Sequence, residues 1–345
     1  MRRLAPLSTY RAWLFLAPAL FFSGPPALPA EVSEVAESGA TTTEELEEIV
    51  IQSHEPRYVA PTRRDRIGRV WVPVMINEKG PYRLVLDSGA THSAVTEKVA
   101  ISLGISLSKF PPVMLRGVTG SAVTPSIHVD SLTVGELLVG ASVLPIVEDA
   151  FGGAQGLLGT EGMQDKRIYI DFINDFINIG RSRNRGPAMG FTAIPLQRDA
   201  GRLLMVRGRV SGIRVRAIID TGAQSTIGNV ALKQKLEQQW SRRRQSTDII
   251  TGATGATQVG LGMPIAAIDI GGIKISTAHI TFGDMAIFDH WKLKEEPAIM
   301  IGMDILGLVD TLIIDYYRQE LQIKPIDDNR LRRFNIQGNR FDYAP

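Results

Sequence analysis

The chain has 345 residues, 44% of them hydrophobic and 21% charged, which fits a folded globular protein and excludes a disordered one. A formal net charge of +2 is too near neutral for a dedicated nucleic-acid binder. There is no cysteine, which excludes thiol catalysis, disulfides and thiolate metal sites.

Arg2, Arg3 and Arg11 precede the apolar stretch AWLFLAPALFF at 12–22, and SGPPALPA follows. This is the order of a secretory signal peptide over residues 1–30, with cleavage after Ala30, and it predicts a periplasmic or secreted protein. The stretch is too short to span a bilayer and Pro18 interrupts it. The alternative is an uncleaved anchor, in which case the membrane is touched only through this segment. Residues 31–66 carry Glu31, Glu34, Glu37, Glu44, Glu45, Glu47 and Glu48. They read as a solvated linker with one short helix around 43–51, a pro-segment being the alternative.

Folded sequence is expected from Ile67. In the first stretch, 67–180, RVWVPVMI and YRLVLD read as strands joined by the turn NEKG. TEKVAISLG reads as a short helix closed by Gly104. PVMLRGVTGSAVTPSI reads as a hairpin tipped by Gly117 and Gly120, and IHVDSLTV and VGASVLPIV as further strands. TEGMQDKRI reads as one or two helical turns, and YIDF and FINIG as a last hairpin around Asn174-Asp175. Residues 181–200, basic and glycine-rich at first, read as a linker. The second stretch, 201–325, has a longer helix, NVALKQKLEQQWSRRRQ, with Leu232, Leu236 and Trp240 on one stripe. Its terminal Arg242, Arg243 and Arg244 complement the helix C-terminus rather than forming a phosphate patch. Residues 326–345 are a polar tail.

The two stretches repeat one another. YRLVLDSGATHSAV at 82–95 returns as VRAIIDTGAQSTIG at 215–228, placing Asp87 and Asp220 at an offset of 133 residues. GVTGSA at 117–122 returns as GATGAT at 252–257, GLLGTEGM as AIMIGMDIL, and IDFINDFINI as IDYYRQELQI. The order is preserved while the offset drifts to 144, so one domain is present twice. In each copy a strongly apolar strand runs directly into an aspartate. A lone carboxylate there is costly. Two copies of a small β domain that pack about a pseudo-twofold axis bring equivalent residues together. Asp87 and Asp220 then form a pair that shares one proton. One serves as general base toward a water, and the other as general acid toward a carbonyl oxygen.

On the paired Asp-[Ser/Thr]-Gly motifs and the later apolar-apolar-Gly elements, the chain resembles the retropepsin-like aspartic proteases, two copies in tandem, over roughly 67–325. The resemblance implies an all-β fold of two β-barrel lobes in a bilobal arrangement, and an aspartic endopeptidase without a covalent intermediate. It implies catalytic Asp87 and Asp220, loops braced by Ser88 and Thr221, and close backbone approach at Gly89 and Gly222. Gly159 and Gly302 would support those loops. Flaps at Gly117, Val118, Thr119 and Gly120, and at Gly252, Ala253, Thr254 and Gly255, would close over a protein or peptide substrate held extended between the lobes of a monomer. Thr91 and Gln224 stand where the family often has an acidic residue that anchors the substrate backbone. Ala90 and Ala223 follow the motif glycines where pepsin-like relatives carry a hydroxyl, so the pair is expected to keep its proton to higher pH.

No cofactor, metal or nucleotide is expected. The histidines show no metal spacing. DIITGATGAT mimics a dinucleotide-binding turn, but Gln258 replaces the third glycine and the sequence after it reads as strand. A non-catalytic peptide-binding module on the same fold is the alternative function. A carboxylate-pair glycosidase is disfavoured by the motif context.

Overall fold

The computed structural model describes residues 58–61, 68–135, 137–148, 152–199, 203–239 and 245–326. The expected signal peptide, the Glu-rich stretch, Trp240, Arg242 to Arg244 and the polar tail lie outside the described residues.

Among the described residues the chain is mostly strand, in two lobes of matching topology joined by a shared sheet. In the first lobe Trp71–Ile76 and Lys79–Leu86 form a hairpin whose turn holds Asn77 and Glu78 at positive φ. Leu84, Val85 and Leu86 are buried on both faces of the sheet, which is why the sequence there is continuously apolar. The strand Gly156–Leu158 lies parallel to the end of that hairpin, with Leu157 opposite Val85 and Leu158 opposite Leu86. Its other edge pairs antiparallel with Ala94–Thr96. The segment between Leu86 and Ala94 must therefore cross over the end of the inserted strand. That crossing loop carries Asp87. The second lobe does the same: Ile213–Ile219, Ala298–Ile301 and Ile227–Gly228 stand side by side, and the crossing loop carries Asp220.

The helices follow each crossing loop. Glu97–Leu103 buries Val99, Ala100 and Leu103 and ends on Gly104 at φ 77°. Val230–Gln239 buries Leu232 and Leu236, and Asn229 Oδ1 caps it by accepting from Leu232 N–H at 2.9 Å. A long hairpin, Thr257–Ile270 with Ile273–Phe282, then wraps the second lobe and pairs back onto Leu203–Val210. In the first lobe the same hairpin is cut into four short strands, Ser126–Val129, Leu132–Val134, Leu137–Val139 and Ser142–Val147, which keep the same partners.

The lobes share a six-stranded sheet. At its centre Lys166–Asp171 runs antiparallel to Thr311–Asp315, with Arg167 opposite Asp315, Tyr169 opposite Ile313 and Asp171 opposite Thr311. At the offset of 144 residues these pairs map onto one another, so each strand pairs with its own copy, as at a twofold interface. The flanking bonds repeat the symmetry: Tyr316 N–H donates to Lys166 O and Phe172 N–H to Asp310 O, both at 3.0 Å. Buried side chains of both lobes and of this sheet form one continuous core.

Three expectations need correction. The strand Tyr58–Pro61, inside the stretch read as a linker, pairs with Phe176–Arg181 at one edge of the shared sheet. Thr192–Pro195, inside the stretch read as an inter-lobe linker, pairs with Glu320–Lys324 at the other edge. Both are four-residue edge strands ending in proline, tolerated there because an edge N–H needs no partner. Finally, TEGMQDKRI forms turns rather than a helix. Gly162 takes φ 74°, and Lys166–Asp171 is drawn into the shared sheet. The second copy keeps the turn of helix there, Met303–Leu306.

Candidate active site

The two crossing loops meet at the lobe boundary. Ser88 Oγ donates to Ile219 O at 2.8 Å, and Thr221 Oγ1 donates to Leu86 O at 2.7 Å. Ser88 N–H donates to Thr221 Oγ1 and Thr221 N–H to Ser88 Oγ, both at 3.1 Å. This reciprocal brace fixes one loop against the other, and both hydroxyls are buried.

Asp87 and Asp220 lie side by side under that brace. A Cβ added at Gly89 would stand 2.6 Å from Asp220 Oδ2, and one at Gly222 would collide with the Asp87 carboxyl. Only glycine leaves room at either place for the partner's carboxylate. Gly89 N–H donates to Asp87 Oδ1 and Gly222 N–H to Asp220 Oδ1, each at 2.9 Å. Ala223 N–H adds a bond to Asp220 Oδ1 at 3.0 Å, whereas Ala90 N–H donates to the backbone carbonyl of Asp87 at 3.4 Å.

Burial raises both carboxyls above their ordinary value of 3.8. Asp87 is held well above it, because the charge of Asp220 adds to desolvation. For Asp220 the hydrogen bonds of Gly222 and Ala223 and the nearby charge of Arg69 work in the other direction. Arg69 is a buried cation without a counterpart, since the matching position in the second copy is the buried Leu203. The pair is thus nearly symmetric in shape and asymmetric in its charged surroundings.

Behind each loop stands a support that the sequence reading found only in part. Asp87 N–H donates to Leu158 O and Asp220 N–H to Ile301 O. Gly159 N–H donates to Ser93 Oγ at 3.0 Å, and Gly302 N–H to Thr226 Oγ1 at 3.1 Å. Ser93 N–H in turn donates to Glu161 Oε1 at 2.6 Å, and Thr226 N–H to Asp304 Oδ2 at 2.9 Å. Glu161 and Asp304 were missed. Their signal was present: an acidic residue two positions after the apolar-apolar-Gly element in both copies.

The roof consists of the two glycine-tipped hairpins. Val113–Gly117 pairs with Gly120–Thr124 in the first lobe, and Ser246–Thr251 with the start of Thr257–Ile270 in the second. Their tips meet: Thr119 Oγ1 donates across to Ala256 O at 2.9 Å, and Gly117 lies against Ala253 and Thr254. Gly252 packs on Thr119 and Gly255 on Glu148, where a side chain would not fit. GATGAT is therefore a hairpin tip, with no helix after it. Beneath the roof, Ala90 and Leu115 with Ala253 of the opposite tip pack against one apolar cluster, and Ala223 and Ile250 with Val118 of the opposite tip pack against another. Thr91 bonds only its neighbour His92 among the described residues, and the backbone carbonyl of Gln224 accepts from Asp304 N–H.

The sequence model of the aspartyl protease family matches the chain twice, over residues 72–161 and 206–305. The chain belongs to the aspartyl protease family. Both matches start at equivalent points of the two copies and end within one residue of equivalent points, as the tandem two-lobe, retropepsin-like form of the family requires. Each match contains one crossing loop, one tip and one supporting glycine of this aspartyl protease. Comparison with curated proteins returns no match.

Proposed function

We propose that this aspartyl protease is a periplasmic or secreted endopeptidase whose Asp87 and Asp220 activate a water for direct attack on a peptide bond. One observation carries the reading: two buried carboxyls, both raised, side by side beneath the two hairpin tips. The ionised member, Asp220 in the resting pair, takes a proton from the water. Asp87 gives its proton to the carbonyl oxygen, so a tetrahedral diol forms without a covalent bond to the enzyme. The proton then on Asp220 goes to the leaving nitrogen as the C–N bond breaks, and one diol hydroxyl returns its proton to Asp87 as the carbonyl re-forms. The bordering apolar side chains favour apolar residues around the scissile bond. The raised carboxyls and the absence of a hydroxyl at Ala90 and Ala223 support a working range at mildly acidic to near-neutral pH.

Mass spectrometry of a peptide library incubated with the protein tests this. Asp87→Asn and Asp220→Asn should each lower cleavage on the order of 1,000-fold or more, because neither carboxyl can do both jobs. Near-normal cleavage by either variant, or an uncut library across pH 4 to 8, overturns the reading.

A further inference from the structure

The second lobe carries a basic array that the site does not use. Leu203–Val210 and Ile213–Ile219 form a hairpin in which Arg207 stands directly opposite Arg216, and Arg209 directly opposite Arg214. All four lie on the outer face. The same face is apolar nearer the site, where Met205 and Ile218 are covered by the cluster around Phe288. Beyond that cover Arg207, Arg209 and Arg214 are exposed, and Arg216 is partly so. Like charges facing one another across a ladder cost stability. Arg216 is offset by Glu296 at 3.7 Å, but Arg207, Arg209 and Arg214 make no hydrogen bond or ion pair among the described residues. The next strand adds Asp269 beside Arg209, then Lys274 opposite Asp269. The face therefore holds five cations against two carboxylates. The equivalent positions of the first lobe are Pro73, Met75, Pro81 and Arg83, so the array does not follow from the repeated fold.

We infer that this arginine array is a docking face for an anionic lipid surface. Two rungs of two arginines, with Cβ atoms roughly 5 Å apart across the ladder and 7 Å along it, present a set of oxyanion binders on one sheet face. Exposure on a sheet face favours a layer of headgroup phosphates over a single enclosed anion, which a concave site would hold. No aromatic side chain is interleaved to stack on bases, which disfavours single-stranded nucleic acid. The N-terminal apolar stretch with its arginines reads as a segment that meets a membrane, so a lipid phase is the anionic surface the chain encounters.

The test is co-sedimentation of the full chain with phosphatidylglycerol-containing and pure phosphatidylcholine vesicles, at low and at about 0.15 M salt. The comparison is with the triple variant Arg207→Gln, Arg209→Gln, Arg214→Gln, which shares the same N-terminal segment. Binding to the anionic vesicles should weaken roughly fivefold per arginine removed, on the order of 100-fold for three, and salt should weaken it too. The matching lysine triple should retain most of the binding. Removing the repulsion should also raise the thermal midpoint of the glutamine triple, which shows that it folds. Equal vesicle binding by chain and glutamine triple overturns the inference, as does no preference for anionic over neutral vesicles. Tighter binding to an oligonucleotide than to vesicles, lost in the triple, reassigns the face to nucleic acid and overturns it too.

Discussion

At the scale of the residue, the aspartate pair is expensive, and its cost depends on pH. The folded Asp87 carboxyl is held well above its ordinary 3.8 by burial and by Asp220. Well below pH 3.8 both folded and unfolded chains carry this proton, and the full stability is present. As pH rises, the unfolded chain releases the proton first, so the folded state loses ground until its own carboxyl has titrated. Asp87→Asn removes the ionisation while keeping the shape. The variant should therefore melt at a higher temperature than the parent near neutral pH, and the gap should close toward pH 4. Thermal midpoints of both proteins from pH 4 to 8 measure this, and a gap that does not change with pH refutes the assigned direction. The aspartates were legible in the sequence because two apolar strands each ended in one at a matching place in a repeat. Arg69 was not, since its effect depends on a fold that carries its charge to the aspartate of the other copy.

At the scale of the element, the crossing loops are held by strands that leave no space behind them. A Cβ at Gly302 would stand 2.8 Å from both the carbonyl carbon and the oxygen of Ser225, backbone atoms that cannot swing away. Gly302→Ala should cost roughly 1–3 kcal/mol or more by overpacking. Gly140→Ala, where a Cβ meets nothing within 4 Å, should be neutral or slightly stabilising. Urea unfolding of the two variants separates these outcomes, and equal midpoints would remove the close-approach argument. Hairpins, barrel strands and the two longer helices were readable because their apolar periods are local. The edge strands Tyr58–Pro61 and Thr192–Pro195 were not. Four residues bounded by proline carry no period, and their partners lie more than 100 residues away in sequence. Aligned at an offset of 134, YVAPTRRD and TAIPLQRD nonetheless share proline, arginine and aspartate at matching places, so the repeat itself held the signal.

At the scale of the molecule, the shared sheet decides what one lobe can do alone. Each lobe supplies one aspartate, one half of the hydroxyl brace and one central strand. Cut free, the first lobe would expose the edge of Lys166–Asp171, a row of unpaired backbone groups. The pairing axis in the intact chain passes through Tyr169 and Ile313. The same axis in a homodimer of first lobes would set Tyr169 against its copy, and Arg167 against Asp171 twice over. Opposite charges facing one another across a ladder favour that pairing. Second lobes would place Thr311 against Asp315, without the ion pairs. Residues 58–185 expressed alone should therefore dimerise more tightly than residues 190–326. Each first-lobe dimer would rebuild two Ser88 hydroxyls and two Asp87 carboxyls about the axis. Sedimentation velocity across a concentration series measures the association. Peptide cleavage by the isolated first lobe should rise with the square of its concentration at the dilute end, where monomer dominates. Cleavage proportional to concentration in a sample shown to be monomeric would mean that one aspartate suffices, and the paired site would have to be abandoned.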